Sequence, residues 1–255
     1  MSNGPMRAPA ILSFRSASTA VALATAVFAF SPQLPAQPVP AGPKVPDLIQ
    51  PLVSRNLKVT VDTTGAPECQ AWAERAKEMV QVWHPVVSAY LDAPLNPGEK
   101  KVHLVFKEMN GVAATSKDVI TISAGWVKSH PEDLGMVLHE LVHVIQDYPT
   151  TQSVWLIEGI ADYIRFWMAE PEGQPKRFNR AKENYRNGYR TTGAFLAWIE
   201  KQYQTPIIRD ANAALRRGTY KDALFEEKTG KNLNALWTEF MDSTEKPAAE
   251  PKRPI

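Results

Sequence analysis

Residues 137–164 of this 255-residue chain form two strongly apolar stretches that carry imidazoles and carboxylates at helical spacing. No other feature constrains the fold as tightly. The first stretch sets His139-Glu140-Leu141-Val142-His143 among Val137, Leu138, Val144 and Ile145. The second sets Glu158-Gly159-Ile160-Ala161-Asp162-Tyr163 after Trp155, Leu156 and Ile157. Charged groups inside apolar helices are costly unless they are paired or bound to a metal. The two stretches must therefore pack so that their polar groups meet. Pro149-Thr150-Thr151-Gln152-Ser153 marks a break that lets the second helix fold back along the first.

The spacing gives each residue type a chemical role. Residues four apart on a helix lie on one face, so His139 and His143 can share one ion. Glu140 lies about 100° further round the helix, beside such an ion without ligating it, where it can act as general base toward a water. A catalytic zinc takes three protein ligands and leaves a fourth position for water. Glu158 is the candidate third ligand, for one zinc per chain. Asp162, four residues beyond it, can accept the second ring N–H of His139. Gly159 is expected to permit close approach of the two helices. Either pair alone reads equally well as core histidines or solvated helix charges, and it is the combination that selects a metal site.

Residues 138–148 and Leu156-Ile157-Glu158-Gly159-Ile160-Ala161-Asp162-Tyr163 resemble the basic secretory protein family of plants and bacteria. The likeness extends to Ile122-Ser123-Ala124-Gly125-Trp126, to His130-Pro131-Glu132-Asp133-Leu134-Gly135 and to the helix-like run from Gly188 to Ile199. Residues 224–231 and Leu236-Trp237 share it too, so that it covers about residues 55 to 242. The resemblance implies a zinc metallopeptidase of the HExxH…E, gluzincin-like kind, with a zincin-like fold. The "basic" of the family name fits this chain poorly.

Composition bounds the rest. The length suits one domain with ample core. Arg7 and Arg15, with no acid before Asp47, precede or border an apolar run over residues 17–30 that is short for a membrane span, so residues 1–36 read as a signal peptide cleaved after Ala36. An uncleaved anchor is the other reading of that run. Residues 37–54 form a Pro-rich lead-in, residues 55–243 the domain, and residues 244–255 a disordered tail. Loss of residues 1–36 removes two of the 29 Lys+Arg and no acid, leaving 27 against 27 Asp+Glu. Neutrality speaks against a nucleic acid or an anionic membrane as partner of the mature chain. The lone Cys69 excludes an internal disulfide and reads as a buried small hydrophobe.

Alternation predicts strands at residues 57–61, 102–106 and 119–123, with Gly111 in the connection between the last two. Residues 66–92 have helical periodicity, with Pro85 a kink or break. Pro131, followed by Glu132 and Asp133, predicts a helix start there. The expected fold is α+β, a small, mostly antiparallel sheet packed on the HExxH helix and followed by a helical C-terminal half. His84, His103 and His130 lack ligand spacing. Tyr189 is a candidate donor to a developing oxyanion, or a helix-entry aromatic. Tyr163 is a second candidate, although its neighbours favour packing.

Together these features predict a secreted or periplasmic zinc-dependent peptidase acting on a peptide or protein substrate. His139, His143 and Glu158 would hold the ion and Glu140 would serve as general base. A non-enzymatic binding or defence module that retains the metal site, and a metal-dependent hydrolase of a non-peptide amide, are the alternatives. Cleft walls are expected from loops such as residues 107–117 and 171–187, although the latter, rich in Arg and Lys, reads better as solvated surface than as a lip over the cleft. Substrate preference and oligomeric state are not encoded legibly.

Overall fold

The computed structural model describes residues 57–93 and 100–245. The expected signal peptide, the lead-in and residues 246–255 of the expected tail lie outside them. Strand β1 (Leu57–Asp62) leads through a 3-10 turn into α1 (Gln70–Tyr90), and β2 (Lys100–Lys107) follows. Next come β3 (Ala113–Ser116), β4 (Val119–Ser123) and the short α2 (Ala124–Ser129). Two helices carry the motif, α3 (Gly135–Gln146) and α4 (Val154–Tyr163), and a π-helical turn (Ile164–Ala169) extends α4. Helices α5 (Tyr189–Tyr203), α6 (Ile207–Arg216), α7 (Ala223–Thr229) and α8 (Leu233–Glu245) complete the C-terminal half. α8 extends two residues past the expected domain end. No helix among the described residues is long and apolar enough to cross a membrane.

The fold is α+β, as expected, but the sheet is mixed rather than mostly antiparallel. Its order is β1-β2-β4-β3, and both β1·β2 and β2·β4 are parallel, with only β3·β4 antiparallel. Two connections account for this. The α1 crossover returns the chain so that β2 runs the same way as β1, as a parallel pair requires. β3 then takes the sheet edge, one slot away from β2, and the two-residue turn Lys117-Asp118 brings β4 back into the gap. Lys117 sits at φ 54° in that turn. The strand that causes the difference, Ala113-Ala114-Thr115-Ser116, has too little apolar alternation to be read as a strand.

One face of the sheet is buried. Val102, Leu104 and Phe106 of β2 and Ile120 and Ile122 of β4 have no exposed surface, and α1 and α3 pack over them. α1 passes through Pro85 without a break. The neighbouring His84 is buried, and burial together with the Lys100 charge lowers its pKa to about 4. Cys69 is buried in the core beside α1. α3 begins at Gly135 rather than at Pro131. Asp133 is engaged elsewhere, accepting from Trp126 Nε1 at 2.9 Å and pairing with Arg165.

Gly159 does bring two helices together, but they are α4 and α5. An added Cβ would overlap the Thr192 side chain of α5 rather than any atom of α3. Gly193 of α5 answers it, since its Cβ would lie 3.1 Å from the Tyr163 backbone nitrogen. The small residues interlock the helices at the turns that carry Glu158 and Asp162. Overpacking of such a contact costs about 1–3 kcal/mol. Gly159→Ala is therefore expected to lower the thermal midpoint by several degrees in a calorimetric scan.

Candidate metal centre

α3 and α4 deliver the motif residues to one point. His139 Nε2 lies 3.1 Å from His143 Nε2 and 3.1 Å from Glu158 Oε2, and His143 Nε2 is 3.4 Å from the same oxygen. Among the described residues this group of three is the one with the ligand types and convergence to hold a metal ion. His84, His103 and His130 stand apart from it, in keeping with their spacing. His130 stacks on Trp126, and His103 meets Thr60 Oγ1 at 2.5 Å.

Hydrogen bonding behind the rings fixes which atoms face inward. The Asp162 carboxylate can only accept, so His139 Nδ1 donates to its Oδ1 at 2.7 Å. Gln146 Nε2 donates to the Ile157 carbonyl at 3.1 Å, which orients the amide so that its Oε1 accepts from His143 Nδ1 at 2.8 Å. Each ring thus carries a proton on the far side. Two imidazole nitrogens and a carboxylate oxygen converge on a point that requires positive charge. Donors about 2.0–2.1 Å from a tetrahedral ion stand about 3.3 Å apart. The observed edges of 3.1, 3.1 and 3.4 Å fit that spacing.

The same demand shifts the titration of these groups in the metal-free protein. Burial by itself would push His139 down, but its hydrogen bonds to Asp162 and Glu158 hold it up to about 9. Burial would raise Glu158, yet the two imidazoles hold it down to about 2.

Glu140 sits beside this point and is mostly buried. Its Oε2 accepts from the Thr115 hydroxyl at 2.6 Å. Thr115 belongs to the strand that periodicity did not reveal. The Ser116-Lys117-Asp118 turn before an apolar run was the available signal for a hairpin. Gln146, three residues beyond His143, was also missed, and its i, i+3 spacing was the clue.

Tyr189 lies over the site, its ring stacked on His139 with centroids 6.0 Å apart. It is more than half exposed. Gly188 at φ 76° and Tyr189 at φ 49° turn the chain sharply into α5. A non-glycine residue in that region costs on the order of 1 kcal/mol or more. The nearby Glu158, then burial, Asp162 and Glu140 raise the phenol pKa above its ordinary value. Tyr163 is elsewhere. It stacks between Tyr90 and Trp167 and donates to Glu200 Oε2 at 3.3 Å, a packing role.

These residues line a cleft of about 1210 Å³, whose floor is α3 from Met136 to Asp147. One wall is β3 with Val112 and Lys117, as expected from residues 107–117. Of residues 171–187 only Asn187 reaches the cleft. The others turn away. Arg180 pairs with Asp242 and Glu245 of α8, and Arg186 with Asp222.

Replacing a carboxylate that supports a metal-binding histidine typically weakens metal affinity about 10–100-fold. Asp162→Ala is expected to show a loss of about that size in competition with a chromophoric chelator. Comparison with family models matches residues 59–240 to a family described as a peptidase of plants and bacteria. No curated protein matches the chain.

Proposed function

This chain belongs to the basic secretory protein family, peptidases of plants and bacteria, and from that premise we propose that it is a zinc-dependent peptidase of gluzincin-like type. The observation that carries the reading is the convergence of His139, His143 and Glu158 on the floor of an open cleft, with Glu140 beside them. Two imidazoles and one carboxylate suit zinc. The cleft exceeds the roughly 300–1,000 Å³ of small-molecule pockets and suits a length of polypeptide better than a small amide. Helix α3 against the sheet, with α4 folded back beside it, supports a zincin-like fold.

When bound, zinc supplies Lewis acidity, polarising a carbonyl oxygen and acidifying water. His139, His143 and Glu158 hold it, and Asp162 and Gln146 keep the two rings in the tautomer that presents Nε2. Glu140 accepts a proton from the attacking water and delivers it to the leaving amine nitrogen. Thr115 keeps the carboxylate of Glu140 in place for both transfers. Tyr189 donates its phenol proton in a hydrogen bond to the oxygen on which negative charge develops. The N-terminal segment supports export, with a secreted or periplasmic mature enzyme and a peptide or protein as its partner.

Elemental analysis of the mature chain after dialysis against metal-free buffer is expected to find about one zinc per chain. Absence of metal even after zinc is added back would defeat the mechanism. Glu140→Gln should retain the metal and lose about 10²–10⁴-fold in kcat on a peptide library, and Tyr189→Phe should lower kcat more than it changes KM. Cleavage of small amides but of no peptide would move the protein to the non-peptide hydrolases.

Thr115→Val removes a hydrogen bond to a charged group at nearly constant volume. Such bonds contribute about 1.5–3 kcal/mol, so kcat should fall about tenfold or more with KM little changed. Thr115→Ser should keep most of the rate. Equal kcat for wild type and Thr115→Val in a steady-state assay would release Thr115 from this role.

A further inference from the structure

Two arginines of the cleft share one aromatic ring but differ in charge balance. Arg165, on the π-helical turn, lies 4.6 Å above Phe166 and is neutralised by Asp133 and by Glu170 Oε2 at 2.8 Å. Arg190, on the first turn of α5, lies 4.2 Å from the centre of the same ring. It has no carboxylate partner among the described residues. Phe166 is buried, and Gly173 closes against its edge, so the ring is a fixed platform.

Other carboxylates that line the cleft have partners of their own. Asp133 serves Arg165, Asp162 and Glu158 serve the imidazoles, and Glu140 accepts from Thr115. Asp147 lines the cleft too, but it caps the far, C-terminal end of α3. Arg190 therefore stands without an ion-pair partner among the described residues, one residue from Tyr189, whose ring covers His139. A guanidinium whose carbon lies over an aromatic ring still has N–H donors with which to grip a carboxylate. Stacking also removes part of the rotamer entropy that such a contact costs.

We propose that Arg190 selects the substrate, binding a carboxylate of the peptide close to the scissile bond. This rests on the peptidase reading of the same site. The carboxylate is that of an Asp or Glu side chain or that of the chain end. Lys117, which also lines the cleft, is a flexible point charge on the β3 wall with no aromatic platform among the described contacts. It is the competing location for any acidic preference.

Binding without turnover tests this in the zinc-loaded Glu140→Gln protein. Fluorescent peptides are titrated in pairs that differ by one group, amidated Asp against amidated Asn, and a neutral free acid against its amide. The carboxylate-bearing member of at least one pair is expected to bind about five- to tenfold more tightly. The pair that shows it identifies the side chain or the chain end as the source. Adding Arg190→Gln should bring that ratio to about one, and Arg190→Glu should reverse it in favour of a Lys-containing peptide. Arg190 is exposed, so neither change disturbs the core. Equal binding within both pairs, a ratio that survives Arg190→Gln, or a ratio lost instead in Lys117→Gln would overturn the proposal. Turnover of the same peptides by the Glu140-intact protein is scored separately. A binding preference without any cleavage would remove the peptidase reading and leave the carboxylate site standing.

Discussion

Three acceptors that face one another at 3.1–3.4 Å in a largely buried place need positive charge between them, and the rest of the structure is arranged around that requirement. His139 and His143 cannot turn away, because Asp162 and Gln146 hold their outer nitrogens. Glu158 cannot escape by protonation, because the imidazoles hold its pKa down. An isolated buried carboxylate or imidazole would neutralise itself by shifting its pKa in the opposite direction. Here the neighbours override burial in both groups. The outcome is a place whose three converging groups could hold a cation.

Keeping such a site assembled demands that α3 and α4 hold their positions. Part of the restraint comes from behind α4, where Gly159 and Gly193 let α5 approach closely. Another part comes from the ends. Arg165 ties the π-helical turn after α4 to Asp133, just before α3, and to Glu170. Glu170 lies against Gly135, where a side chain would collide with its carboxylate. That places negative charge at the N-terminus of α3, where the helix dipole favours it. Removing one partner from a network this enclosed costs several kcal/mol, enough to loosen the geometry on which the site depends.

The sheet contributes more than a hydrophobic backing. Its buried face backs the helices, β2 beneath α1 and β4 beneath α3. Its edge strand β3 reaches the cleft and supplies the hydroxyl that holds Glu140. The out-of-order placement of β3 thus carries a hydroxyl to the Glu140 carboxylate. A sheet of sequential antiparallel strands would put β3 beside β2 instead of at the edge.

The amino-acid sequence by itself determined the two apolar helices, the three side chains that converge, His139, His143 and Glu158, the carboxylate of Glu140 beside them and the carboxylate behind His139. Those are encoded by local spacing, because a helix converts intervals of three and four residues into a shared face. Tertiary structure alone decided what depends on contacts between segments distant in the chain. Thr115 meets Glu140 across 25 residues, and Gly159 meets α5 rather than α3. Arg190 shares a ring with Arg165, and Arg180 and Arg186 pair with α8 and with Asp222 before α7 rather than lining the cleft. Strand direction belongs to the same class, since alternation in one strand carries no information about which neighbour it pairs with or in which sense.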